Sequence, residues 1–180
     1  MFLHDFVHVD LPLDVAVDAL PRAIDPWLRS LVAAAWQIDR EEWVRAGLRR
    51  ADLTPSHDFF VEFGRPRVRV DGLVVPLAWR AAGARLVPDV EADLELARCG
   101  ANRCDLQIMG RYRLPPDATR TAAETSLAHR MVVNAVRRFL ELLAARLRET
   151  VESGDPPPSR PHRSRREHGD HRVGGRSINS

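Results

Sequence analysis

Two hydrophobic periodicities alternate along this chain. Residues 2–11 and much of 59–113 carry apolar side chains at every second position, which is typical of strands with one buried face. Residues 14–20, 25–49 and 121–152 carry them at spacings of three and four, which is typical of amphipathic helices. The pattern therefore predicts one strand, two helices, a meander of strands and one long last helix.

The first strand and the two helices carry recognisable boundaries. Leu11-Pro12 ends the strand, and Asp14 is a candidate N-cap for the first helix. Asp25 followed by Pro26 is a typical N-cap and first position of the second helix. The positions predicted for its buried face are Leu28, Leu31, Val32, Ala35 and Trp36.

Asp71-Gly72 is the strongest turn signal in the sequence. Both central residues of a type I′ turn need a positive φ, which aspartate and glycine tolerate. A two-residue loop at this place pairs Val70 with Leu73 and puts the apolar positions on one face. The predicted inner face of this hairpin carries Val68, Val70, Leu73, Val75, Leu77 and Trp79.

A second hairpin is predicted around a three-residue loop at 100–102. This loop pairs apolar with apolar positions, whereas a four-residue loop would pair apolar with polar positions throughout. The expected pairs are Leu96 with Leu106, Leu94 with Ile108, Ala92 with Gly110, and Glu91 with Arg111. The small pair Ala92 and Gly110 is expected to leave space beside Tyr112.

The long last helix spans about 121–152. Thr121 and Glu124 form a capping-box pattern at its start. From Ser153 the sequence is rich in proline, arginine and histidine without apolar periodicity, so we predict a domain at 1–152 and a disordered tail at 153–180. The apolar stripe of the helix consists of Ala128, Val132, Ala135, Val136, Phe139, Leu143 and Leu147.

Charge and composition narrow the function classes. The 27 basic residues are all arginine, and the apolar fraction of 44% suffices for a core. The net positive charge belongs to the tail, so the domain lacks a positive electrostatic field that would attract nucleic acid. We therefore expect no nucleic-acid partner. The amino terminus has no secretory pattern and no apolar run approaches the ~20 residues of a membrane span, which favours a soluble, cytoplasmic protein.

The positions of the two cysteines argue against a disulfide or a metal site. In the predicted register Cys99 and Cys104 lie on opposite faces of the sheet. Their spacing without a nearby histidine pair is not typical of zinc ligands. We therefore expect reduced cysteines and no metal.

Four other polar residues are candidates for chemistry. His4 and His8 share the outer face of the first strand, and His129 near the start of the last helix is expected at its surface. Tyr112, the single tyrosine, follows the inner alternation of its strand, so its hydroxyl needs a partner, most simply backbone or water. Phosphate loops, nucleophile elbows and metal-binding helices are absent from the sequence, so no cofactor is expected.

Through about residue 152 this order of elements resembles the START-like helix-grip superfamily. Its members wrap a curved antiparallel sheet around a long last helix and leave a cavity between them. The segment 109–116, which leads into the last helix, looks like actinobacterial members of the polyketide-cyclase/START-like group. The resemblance implies an α+β helix-grip fold.

The resemblance also implies a protein that binds a hydrophobic small molecule, such as a lipid or a polyketide-like compound, in that cavity. Arg146 lies near the apolar stripe of the helix, and it and Tyr112 would be the polar contacts. The residues expected to line the cavity are Val75, Leu77, Trp79, Leu94, Ile108, Tyr112, Val136 and Phe139.

Two alternatives stay open. A cyclase, aromatase or dehydratase-type enzyme would use the same cavity and would need at least two titratable side chains that converge in it. A protein-interaction module would instead have a filled interior. The ligand and the oligomeric state are open as well.

Overall fold

The computed structural model describes residues 1–24, 28–36, 59–81, 88–114 and 122–153. Within these ranges the strands are β1 (Phe2–Val9), β2 (Phe59–Phe63), β3 (Arg67–Arg69), β4 (Gly72–Ala81), β5 (Asp89–Arg98) and β6 (Cys104–Arg113). The helices are α1 (Leu13–Ile24), α2 (Leu28–Ala35) and α3 (Ala122–Glu152).

The described strands form one antiparallel sheet. Its order is β1-β6-β5-β4-β2, and β3 also pairs with β4. The buried side chains of the sheet, of α1, of α2 and of α3 belong to one core. The prediction of an α+β helix-grip arrangement, with an antiparallel sheet against a long C-terminal helix, is confirmed.

The last helix presents the predicted apolar stripe to the sheet. Phe139 is fully buried and contacts Trp79 edge to face, with ring centroids 5.7 Å apart. All seven predicted stripe positions are buried, whereas Arg130, Asn134, Arg137, Glu141 and Arg148 on the opposite side are exposed. The three-and-four periodicity therefore located this interface correctly.

The register of β5 and β6 is also as predicted. Leu94 pairs with Ile108 and Ala92 pairs with Gly110. The loop between the strands turns at Gly100, whose φ of 105° is the positive value that glycine adopts readily. The alternation and the loop length agree in this hairpin, and each supports the other.

The register of β3 and β4 differs from the prediction. Val68 pairs with Leu73 and Arg69 pairs with Gly72, so the turn lies at Val70-Asp71. The predicted type I′ turn is wrong, because Gly100 is the only described residue with a positive φ. A Cβ at Gly72 would lie 2.2 Å from the carbonyl oxygen of Leu96, so this glycine permits β5 to approach.

The β4 strand of that hairpin nevertheless keeps its predicted inner side chains. The observed pairing is shifted by two residues, and the side-chain alternation has a period of two. Val75, Leu77 and Trp79 are buried on the inner side, as expected. Val68 on β3 and Val70 in the turn are strongly exposed, so their predicted place on the buried inner face is wrong.

The first helix runs past the predicted end at residue 20. It includes Pro21, which lacks the N–H needed for a helical hydrogen bond. Ala23 and Ile24 beyond it are buried in the core, and their burial offsets the disruption.

Several predictions fall on residues outside the described ranges. These include the boundary at Asp25-Pro26, the second helix after Trp36, the cap at Thr121 and the tail from residue 154. The predicted strand at Phe59–Phe63 is present as β2. Within the described ranges, the helices are each too short or too polar to cross a bilayer.

Candidate functional site

The register places two of the candidate site positions, Trp79 and Tyr112, in one row across the inner face. Trp79 on β4 pairs with Val90 on β5, and Val90 pairs with Tyr112 on β6. Directly paired residues point to the same side of a sheet, so all three side chains face α3. Neighbouring strands are about 4.8 Å apart, which separates the Cα atoms of Trp79 and Tyr112 by roughly 10 Å.

The predicted lining residues lie on facing walls. Trp79 and Tyr112 are each 1% exposed, and the others are equally enclosed. The next rows of the inner face carry Leu77 and then Val75, Leu94 and Ile108, and the helix contributes Val136 and Phe139. The structure thus brings eight of the nine predicted residues into one apolar layer, and their role in ligand binding stays a prediction.

The indole nitrogen of Trp79 is an unusual group in that layer. Nε1 is buried and has no hydrogen-bond acceptor among the described residues. A buried N–H without an acceptor costs about 1–3 kcal/mol, because it has lost its hydrogen bond to water. This donor is therefore available to any acceptor atom that enters the interior.

Tyr112 has a side-chain partner at the end of the row. Its hydroxyl is hydrogen bonded to Nδ1 of His129 on α3 and also lies 2.8 Å from the sulfur of Met1. The two rings stack with centroids 6.0 Å apart. A hydroxyl donates one hydrogen bond at a time, so the tautomer of His129 decides whether the imidazole or Met1 receives it.

Burial changes the acidity of this tyrosine. Desolvation raises the pKa of Tyr112 above its ordinary value of 10.0, because the phenolate would lie in a poorly hydrated place. The neutral hydroxyl is consequently the form present at physiological pH. It can donate a hydrogen bond to His129 or to Met1.

The pairing of Tyr112 with His129 corrects one sequence-based expectation, the partner of the tyrosine hydroxyl. His129 is exposed, as predicted for a helix-surface histidine, yet its ring also reaches the tyrosine hydroxyl. The expected backbone or water partner of Tyr112 is replaced by this side chain. The alternation of β6 indicated that Tyr112 faces inward and that its hydroxyl needs a partner. No pattern in the sequence indicated which residue of the helix would be that partner.

Arg146 lies away from this pair. Its Nη1 donates to a carboxylate oxygen of Glu149 at 3.1 Å, one turn further along α3. At 1.5 Å rise per residue, Arg146 is roughly 25 Å along the helix from His129. The structure therefore does not bring together Tyr112 and Arg146, the two residues predicted to make polar contacts with a ligand.

The expected space at Ala92 and Gly110 is also absent. A Cβ added to Gly110 would lie 2.4 Å from both Cα and Cβ of Ala92. This contact includes backbone, which moves only with the strand itself. Gly110 therefore permits close strand packing, and a larger residue there would distort the sheet.

The cysteines and strand histidines lie where the register predicts. Cys104 is buried, Cys99 is half-buried, and both are free thiols. Burial, with a smaller contribution from the charge of Asp105, raises the pKa of the Cys104 thiol to about 11. His4 and His8 are on the outer face, away from Tyr112 and Trp79.

Comparison with known proteins gives limited information. No protein-family model matches this chain, and no curated protein matches it. Among solved structures, the chain is similar to the Zhui aromatase/cyclase from Streptomyces sp. R1128, with 16% sequence identity and a TM-score of 0.37. The match covers 86% of this chain and 97% of that chain. At this level of similarity the function has to be argued from the side chains themselves.

Proposed function

We propose that this protein is a soluble binding protein for a hydrophobic small molecule, of the lipid or polyketide-like class, held between the sheet and α3. The observation that carries the proposal is the buried N–H of Trp79, which has no acceptor within the described ranges. The surrounding wall is apolar, so the ligand would be apolar with at least one acceptor oxygen. A cytoplasmic location remains a prediction.

Burial would supply most of the affinity. Apolar surface that leaves water contributes about 25 cal/mol per Å². A carbonyl or ether oxygen that accepts from Trp79 Nε1 would add about 0.5–1.5 kcal/mol and fix the orientation of the ligand. The Tyr112 hydroxyl at the other end of the row is the second orienting group.

A matched pair of probes tests this proposal. We would titrate the protein with 2-acetylnaphthalene, which has a carbonyl acceptor, and with 2-isopropenylnaphthalene, which has a CH₂ group in place of the carbonyl oxygen and nearly the same shape. The expected result is tighter binding of the ketone and a roughly threefold to tenfold loss of that preference in Trp79→Phe. Trp36→Phe is the control, since Trp36 is also buried but lies directly after α2 and not on the sheet.

Two results would contradict binding through Trp79. Equal affinity for both probes would show that the indole N–H does not select an acceptor. Absence of uptake of either probe, together with an empty native mass spectrum of the purified protein, would instead favour a protein-interaction module with a filled interior. Thermal unfolding of each variant checks that the fold is retained.

A cyclase, aromatase or dehydratase-type enzyme is the second candidate. The specific observation in its favour is the hydrogen bond between Tyr112 and His129, because two titratable side chains converge beside the apolar layer. Such a pair can pass a proton to or from a carbonyl compound. Proton removal next to a carbonyl group is the step that these reactions share.

Deuterium exchange separates the enzyme from the binding protein. In D₂O, an enzyme of this kind should exchange the methyl protons of bound 2-acetylnaphthalene, which NMR detects directly. We expect the rate to fall at least tenfold in Tyr112→Phe and in His129→Asn. Exchange at the rate of free ketone in the wild-type protein would exclude this chemistry for the probe and leave the binding function.

A further inference from the structure

A second group of reactive side chains lies on the outer face of the sheet, opposite α3. His8 on β1 pairs directly with Asp105 on β6, although the two residues are 97 positions apart in sequence. Cys99 follows the last residue of β5. One donor atom from each of these three side chains lies within 4.8 Å of the other two.

The backbone fixes these positions. Asp105 pairs with His8 on one side and with Ala97 on the other, so Cys99 is its diagonal neighbour on the same face. The amide of Cys99 donates to the carbonyl oxygen of Arg103 at 3.1 Å, which closes the loop between β5 and β6. The donors are therefore held by the strand ladder and need only side-chain rotation to adjust.

The three donors are an imidazole nitrogen, a thiol sulfur and a carboxylate oxygen. These are the atoms that bind Zn²⁺ in proteins, at about 2.0–2.3 Å from the metal. Tetrahedral ligands at such distances are roughly 3.3–3.7 Å from each other. His8 Nδ1 and Asp105 Oδ1 are now 2.6 Å apart, so these two atoms must move apart by about 0.7 Å or slightly more to bind one ion.

We propose that His8, Cys99 and Asp105 bind one divalent transition-metal ion of the Zn²⁺ class, with water in the remaining coordination position. The ion would replace the hydrogen between His8 Nδ1 and Asp105 Oδ1, and the Cys99 thiol proton would leave to solvent. The competing group is Arg103, whose Nη2 lies 3.7 Å from Cys99 Sγ. Its guanidinium would rotate into solvent when the thiolate binds the metal.

This proposal is independent of the interior site. It also differs from the sequence-based expectation of no metal, which rested on the opposite faces and spacing of the two cysteines and on the absence of a histidine pair nearby in sequence. Spacing along the chain does not reveal ligands that the sheet brings together from distant strands.

Cobalt binding tests the site with a sulfur-specific signal. We would titrate the reduced full-length protein with Co²⁺ and follow the thiolate-to-cobalt charge-transfer absorption, then displace the cobalt with Zn²⁺. The tail contains His162, His168 and His171, which also bind metals, but it contains no cysteine. The charge-transfer band therefore reports only on Cys99 or Cys104.

The expected result is a band with one cobalt per chain. It should disappear in Cys99→Ser, persist in the matched control Cys104→Ser, and require at least about tenfold more metal in His8→Asn and in Asp105→Asn. Absence of the band in the wild-type protein overturns the proposal. Retention of the band in Cys99→Ser, or unchanged affinity in both His8→Asn and Asp105→Asn, overturns it equally.

Discussion

The inner and outer faces of the same sheet hold similar groups in opposite surroundings. On the inner side, the hydroxyl of the buried Tyr112 is hydrogen bonded to the exposed His129 at the edge of the packed layer between sheet and helix. On the outer side, His8 meets Asp105 where half of the His8 side chain is exposed to water. A polar contact away from water is costly to break, whereas an exposed one is easily replaced by water. Stability should therefore depend on the inner face, and the outer face is free to exchange partners.

The largest difference between the faces is expected for the removal of a phenyl ring. Phe139→Ala deletes a fully buried ring that packs against Trp79 and should lower the free energy of unfolding by about 3–5 kcal/mol. Phe6→Ala deletes the same group from the outer face, where Phe6 is 43% exposed, and should cost about 0.5 kcal/mol or less. Urea unfolding of both variants measures this difference. Similar losses would show that the two faces are not distinct in packing.

Alanine substitutions at Gly110 on β6 and at Gly100 in the preceding loop should differ less in their cost to stability. Gly110→Ala places a Cβ 2.4 Å from the backbone of Ala92 and should cost about 1–3 kcal/mol. Gly100→Ala meets open space, so its cost is limited to the strain of a positive φ, about 1 kcal/mol. Thermal unfolding ranks the two variants. A tolerated alanine at Gly110 would mean that β5 and β6 can separate locally.

The hydroxyl of Tyr112 is the next test of the inner face. Tyr112→Phe should cost about 0.5–1.5 kcal/mol at neutral pH, because the ring stays and the hydrogen bond to His129 is lost. Its pKa is raised in the folded protein, so the stability from the neutral hydroxyl is complete below pH 10.0 and is lost as the pH rises through the folded value.

The ionisation of Tyr112 can be read from its phenolate absorbance, which separates it from the Cys104 thiol, whose pKa of about 11 lies in the same range. Tyr112 is the only tyrosine of the chain, and all basic side chains apart from histidine are arginine, so no lysine titrates in the same range. Phenolate absorbance of the native protein should therefore show one transition, displaced upward from that of the unfolded chain. Coincident transitions in the native and unfolded protein would place the hydroxyl in water and remove it from the inner face.

Local rules explain which parts of this fold were predictable. In β5 and β6, alternation and loop length agree, and the pairing of Leu94 with Ile108 follows from either. The stripe of α3 is equally local, because its period alone identifies the buried side. Agreement of two local signals is not sufficient by itself, because alternation and the turn signal also agreed at Asp71-Gly72, where the observed register is shifted by two residues.

The predictions fail where the role of a residue depends on a neighbour that is distant in sequence. Gly72 has the appearance of a turn residue, yet its lack of a side chain serves the approach of Leu96 on β5. The partners of Tyr112 and of His8 are His129 and Asp105, and neither is marked by any local pattern. The site could thus be predicted as an apolar layer, but its polar contacts required the three-dimensional structure.

The smallest effect is expected for an ion pair of the outer face. Arg67 on β3 donates to Asp93 on β5 at 3.1 Å, and both side chains are about half exposed. A double-mutant cycle with Arg67→Met and Asp93→Asn should give a coupling energy of about 0.2–1 kcal/mol at low salt. Raising the salt to 1 M shortens the screening length to about 3 Å and should abolish most of the coupling. Because the Tyr112 hydroxyl is neutral and its side chain is buried, its contribution should change little under the same salt. A salt-independent coupling at Arg67 would mean that the outer face is covered by something in solution, and the contrast between the two faces would then end at this strand.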